Sequence, residues 1–268
     1  LEDGSLNGSG TLNLFGNGPV SMSMDGNVVV DYRGLTVNQL GTGKIDLNGQ
    51  NQYSPSIYAI DYHAGQQAFA SFTVNGTSLA TPYQGEFYIR EGSSVNMNLA
   101  NGWAMGQGSQ IHMFNNLDHD IYATVNGSSL NFGGEIILGP AHVKSRFNVP
   151  ITFQGEAKVN MGWGGHLEFN GATNIEKGYF TVQESGVLDF NGPTVISGGQ
   201  FMTQGAAGVN KGVVHFNNDT DWKGTVDLGQ NTGGYVRQMG HAKVLSSTTI
   251  NANQFDMDGQ WGSSWNAY

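Results

Sequence analysis

The sequence predicts an all-β fold, a parallel β-helix (β-solenoid) with turns of about 21 residues. Three observations carry that expectation. The first is an internal repeat. The segment from His166 to Phe180 recurs as Val187 to Phe201, with Leu167/Leu188, Phe169/Phe190, Asn170/Asn191, Gly171/Gly192, Thr173/Thr194, Ile175/Ile196, Gly178/Gly199 and Phe180/Phe201 identical at a spacing of 21. The acid at Glu168 is matched by Asp189. A period near 20 residues is that of stacked units, none of which buries its own apolar face alone. The second observation is strand grammar and the third is the corner chemistry between strands; neither leaves room for helices.

Taken in order, the strands read apolar-polar-apolar and then Gly or Asn-Gly. Gly10–Gly16, Gly43–Gly49, Ser129–Gly133 and Gly165–Gly171 all follow this pattern. Alternation of period two places Leu and Phe on one face and Asn, Asp or Glu on the other. Asn-Gly recurs at Asn7, Asn17, Asn48, Asn75, Asn101, Asn126, Asn170 and Asn191. Both residues tolerate positive φ, which suits a sharp corner. Antiparallel hairpins use the same turns, but a hairpin gives no reason for identical residues to recur at one fixed spacing. In a solenoid they stack, so Phe169 over Phe190 and Asn170 over Asn191 are expected as ladders about 4.8 Å apart. No segment sustains a capped i, i+3, i+4 pattern.

The chain is expected to be a single solenoid domain over residues 1–268, less regular at 50–122. There the period fades and Tyr53, Tyr58, Tyr62, Phe69, Phe72, Tyr83, Phe87 and Tyr88 crowd together, which suggests long inserted loops or an embellishing sheet. A looser match pairs His112–Asp120 with His215–Asp221. Trp261 and Trp265 are read as a cap or a docking surface at one end. The opening residues already look like strand and turn, so the segment reads as a piece of something longer, stacked head to tail or continued by adjoining repeats.

Composition narrows the function. A formal net charge of −10 with only 11 Lys and Arg argues against nucleic acid and anionic membrane surfaces as partners. With no Cys, disulfides, thiolate zinc sites and cysteine nucleophiles are excluded. No apolar run reaches the length of a transmembrane helix. Gly is abundant at 41 residues and aromatics reach 11%, as many short packed strands require.

Candidate chemistry is sparse. Asp118 and Asp120, with Asp219 and Asp221 in the loosely matched segment, are candidate calcium ligands beside Asn115/Asn116 and Asn217/Asn218, because hard cations take several oxygens. Asp256-Met257-Asp258-Gly259 is a third such turn. Glu168 and Asp189 would stack about 5 Å apart, a spacing open to glycoside hydrolysis but equally ordinary on a solvated face. The seven histidines look scattered, with no His-x-x-x-His pair. Exposed aromatics between residues 53 and 88 could stack on glycans.

The strings Gly-Thr-Leu-Asn-Leu, Leu-Asp-Phe-Asn-Gly-Pro-Thr and Ser-Thr-Thr-Ile-Asn-Ala-Asn-Gln-Phe-Asp-Met-Asp-Gly (247–259) resemble the repeats of bacterial surface and autotransporter-type β-helix proteins. The resemblance covers most of the chain from Leu130 onward and lacks any recognisable membrane barrel. It implies an extracellular or cell-surface location, a structural or adhesive role open to filament formation, and no shared catalytic residues. The alternative of a different class is a carbohydrate-binding or polysaccharide-degrading β-helix, tailspike- or lyase-like.

Overall fold

The structure is a computed structural model. It describes side chains over residues 104–113, 124–140, 143–205, 211–229, 233–245, 248–252 and 255–256, and the backbone of further strands up to Ala267. Among the described residues every regular element is a β-strand, and every pairing between named strands is parallel. The strands form a 12-stranded and an 18-stranded sheet. In the turns of the sequence repeat each rung gives one strand to the first sheet and two to the second. His166–Phe169, Thr173–Ile175 and Tyr179–Val182 make one such rung. Over the residues whose side chains are described, about six turns stack about 22 residues apart as a β-solenoid, the fold class the repeat predicts.

The register is the one the repeat dictates. Leu167 pairs with Leu188 and Phe169 with Phe190 in the 12-stranded sheet. Thr173 pairs with Thr194, and Phe180 with Phe201, in the 18-stranded sheet. Alternation then drives every second side chain inward, and Leu167, Phe169, Phe180, Leu188, Phe190 and Phe201 are all at most 1% exposed. Within a column the rings stack: Phe169 on Phe190 at 5.3 Å between centroids, Phe190 on Phe216 at 4.9 Å, Phe180 on Phe201 at 4.7 Å. Between columns they meet edge to face, as Phe153 meets Phe169 at 5.2 Å. Both arrangements suit the ring quadrupole.

The corners are built differently from expectation. Gly171 and Gly192 follow Asn170 and Asn191, yet neither has a positive φ. They are glycine because successive turns touch there: a Cβ on Gly192 would collide with the carbonyl oxygen of Gly171, and one on Gly171 with that of Val149. Positive φ is needed at another corner, where Gly164 (φ 72°) precedes the next rung and Ser185 (φ 59°) repeats the geometry one turn later.

One further expectation changes, and for residues 50–122 the strands bear on the sheet alternative alone. Ser56–Ile60, Phe69–Asn75, Glu86–Arg90 and Ser94–Ala100, all between residues 50 and 122, join the same two sheets by parallel pairing rather than forming another. The match of His112 with His215 does not hold. His112 lies on Gln110–Phe114 in the 18-stranded sheet, and His215 on Val213–Phe216 in the 12-stranded one.

Candidate functional site

Among the described residues, the outward face of the 12-stranded sheet carries a continuous polar column. The column runs through Arg146, Glu168, Asp189, His215 and Arg237, each paired with the next by parallel register. Opposite charges adjoin along it. Arg146 Nε lies 3.1 Å from Glu168 Oε2. His166, two residues before Glu168 on the same outward face of the strand, donates from Nε2 to Asp189 Oδ2 at 2.7 Å and lies 3.7 Å from Glu168 Oε1. His215 Nδ1 meets Asp189 Oδ1 at 2.8 Å. Arg237 rests over the Tyr235 ring at 4.8 Å, and Lys211 approaches the same ring at 5.8 Å.

Asp189 is the hub, with its side chain 14% exposed. Burial pushes its pKa up, but hydrogen bonds from His166 and His215, together with their charge, outweigh that and hold the carboxyl well below the usual carboxylate range. The pair Glu168 and Asp189 does stack on adjacent turns as expected. Asp189 is held ionised, and Glu168 faces Arg146 on one side and His166 on the other. The geometry is that of an ion-pair ladder.

A second ladder runs along the adjacent corner. Asn148 donates to Asn126 at 3.0 Å, Asn170 to Asn148 at 2.9 Å, Asn191 to Asn170 at 2.8 Å and Asn217 to Asn191 at 2.7 Å. Each amide donates to one turn and accepts from the next, so the chain of bonds polarises along its length. Buried Thr173, Thr194 and Thr220 follow beside it, each hydroxyl donating to a carbonyl two residues back.

Two of the four candidate calcium ligands, Asp219 and Asp221, fall among the described residues. Asp118 and Asp120 lie outside the described residues. Asp219 is exposed at the corner, where its backbone N–H takes the Asn218 side-chain oxygen at 2.7 Å. Asp221 points from the following strand, between Val195 and Lys243 on the neighbouring rungs. Among the described residues no three His, Asp or Glu side chains are grouped to hold a metal. Asp256 pairs with Arg237 in register, and Asp258 is outside the described residues. The aromatic side chains between residues 53 and 88, and those of Trp261 and Trp265, are likewise outside them.

The histidines flanking Asp189 were missed because they look scattered in sequence. The signal was present: Val213-Val214-His215-Phe216-Asn217 repeats Val187-Leu188-Asp189-Phe190-Asn191 at a spacing of 26. The extra residues fall in the corner between Thr203 and Val213, so a search at period 21 passes over them.

On the opposite side, a cleft of about 170 Å³ indents the corner leading into the second strand column of the 18-stranded sheet. Gln107, Gln110, Glu135, Glu156 and Lys158 line it over a floor of Gly133 and Gly134. Fold and surface together define a parallel β-solenoid with polar ladders along its outside. No family model, curated protein or solved structure matches the chain.

Proposed function

We propose that the chain is a non-enzymatic structural or adhesive element of a bacterial surface or extracellular assembly, within the autotransporter-type β-helix class that its repeats resemble. The observation that carries this reading is the use made of the outward polar groups. From Arg146 through Asp189 to His215, and from Asn126 to Asn217, side chains of successive turns bond to one another along the axis. Groups committed in this way hold turns in register and keep a long rod hydrated. They are poorly placed to exchange protons with a substrate.

Self-association along the axis belongs to the same reading, because a parallel solenoid grows by adding turns and each contact is heterologous. Sedimentation and electron microscopy of the purified chain test this part: concentration-dependent rods support it, and a concentration-independent monomer refutes it. The non-enzymatic part is tested with neutral and acidic polysaccharides, by assay for new reducing ends and unsaturated products. Sustained turnover would overturn it.

A further inference from the structure

The geometry points to the cleft at Gln107–Lys158 as a binding subsite for one ring of a neutral, hydroxyl-rich saccharide. This deepens the adhesive reading above, on which it rests, by naming a ligand class and a place. The cleft arises from unequal corners. Between the two strands of the larger sheet, four residues separate Met105 from Gln110, two separate Phe132 from Glu135, and four separate Phe153 from Lys158. The short corner, flanked above and below by longer ones, leaves a notch. Its two residues are Gly133 and Gly134, and a Cβ on Gly134 would overlap Ser109. The three corners are held by backbone bonds, Glu135 N–H to Ser109 O at 2.9 Å and Lys158 N–H to Gly134 O at 2.9 Å, so the notch is formed without a ligand.

The lining selects the ligand by its chemistry. Glu135 is fixed at the floor, accepting from Asn160 at 2.5 Å on one oxygen and from Gln110 at 3.3 Å on the other. Glu156, one oxygen of which accepts from Lys177 Nζ at 2.7 Å, Lys158 and the exposed Gln107 add an acceptor, a donor and an amide that does both. The carboxylates of Glu135 and Glu156 are balanced by the ammonium groups of Lys158 and of Lys177 on Glu156, so no net charge selects an anion or a cation, and the named walls offer an apolar ligand no apolar side chain. Vicinal hydroxyls donate and accept at once, which fits this mixture. Tyr179, outside the lining but one rung beyond Lys158 and 36% exposed, offers a ring face to a saccharide long enough to extend past the cleft. The volume is below the roughly 300 Å³ at which drug-sized ligands begin to fit, so one ring is the expected occupant.

The test uses the full chain, with cellotriose, chitotriose and, as the anionic comparison, tri-galacturonate, each titrated into the millimolar range and followed by amide chemical shifts. Either neutral sugar should shift the amides of Gln107, Gly134 and Lys158 and bind more tightly than the acidic one. Glu135→Gln, which keeps the shape, and Lys158→Ala, on the surface, should each weaken binding at least fivefold. Tyr235→Ala on the other sheet should leave it unchanged. No shift with either neutral sugar, shifts confined to other surfaces, or equal affinity in all variants would overturn the assignment. Cleavage of a bound sugar would refute the non-enzymatic reading while leaving the subsite in place.

Discussion

Replacing Phe190 by alanine tests the register most directly. The ring is fully buried and touches four others: Phe169 and Phe216 stacked above and below, at 5.3 and 4.9 Å, and Phe180 and Phe201 edge-on across the interior, at 6.0 and 6.4 Å. Phe→Ala in a core costs about 3–5 kcal/mol, and the value depends on how far the site can collapse. Here collapse is restrained, because the flanking turns are clamped by Asn191 N–H to Phe169 O at 2.8 Å and Asn217 N–H to Phe190 O at 2.9 Å. The loss is therefore expected in the upper half of that range, about 4–5 kcal/mol. Urea denaturation followed through tryptophan fluorescence suits the measurement, since buried Trp222 packs on Phe216 at 5.2 Å, one turn away. Truncating the half-exposed, outward Val187 to alanine serves as control and should cost under about 1 kcal/mol. A loss below about 1 kcal/mol for Phe190→Ala would refute the stacked core.

Three other perturbations read different parts of the design. Gly192→Ala places a methyl against the carbonyl of Gly171, a backbone contact with nowhere to move, and should lower stability by about 1–3 kcal/mol in the same denaturation assay. Ser185→Gly should raise stability by about 1 kcal/mol, because a left-handed φ of 59° strains any residue with a Cβ, and Gly164 holds that corner a turn earlier; a fall would mean the serine side chain matters more than the strain. Asp189→Asn should destabilise most at neutral pH. A carboxylate whose folded pKa is depressed contributes fully above its unfolded pKa, near 4, and loses that contribution as pH falls toward the folded value. The difference between wild type and variant should therefore shrink between about pH 5 and pH 3, and a pH-independent difference would show that charge is not what Asp189 contributes.

Period and alternation made the core legible. Once Phe169 and Phe190 are placed on one face at a common spacing, inward packing, register and the Asn170–Asn191 bond all follow. The corners were less legible, because Asn-Gly is consistent both with positive φ and with close approach of two backbones, and only the neighbouring turn decides between them. The ion-pair ladder was hidden for another reason. Arg146, Glu168, Asp189 and His215 adjoin only when corners of different length are counted correctly, at steps of 22, 21 and 26. The cleft is a consequence of corner length too, and no single residue type marks it.

What happens where the repeat breaks explains why identity is not needed at every turn. Below Phe216 the column should continue with another ring, yet Gln238 stands there, completely buried. An unpaired amide in such a core would cost about 1–3 kcal/mol. Gln238 escapes that cost through its neighbours. Trp222 Nε1 donates to its side-chain oxygen at 3.3 Å, and its own Nε2 reaches the carbonyls of Asn218 and Gly240, each at 3.2 Å, and the Thr220 hydroxyl at 3.3 Å. Trp222, in register with Ile196 and Val244 on another column, packs edge-on to both Phe216 and Phe255 at 5.2 and 5.4 Å. The substitution thus works as a pair, with a large indole on one column answering a polar side chain on the other. Each turn contacts little beyond its neighbours, so such a change needs compensation only within about one rung on either side. A solenoid can therefore lose its sequence repeat while keeping its backbone register, as this chain does beyond Phe216.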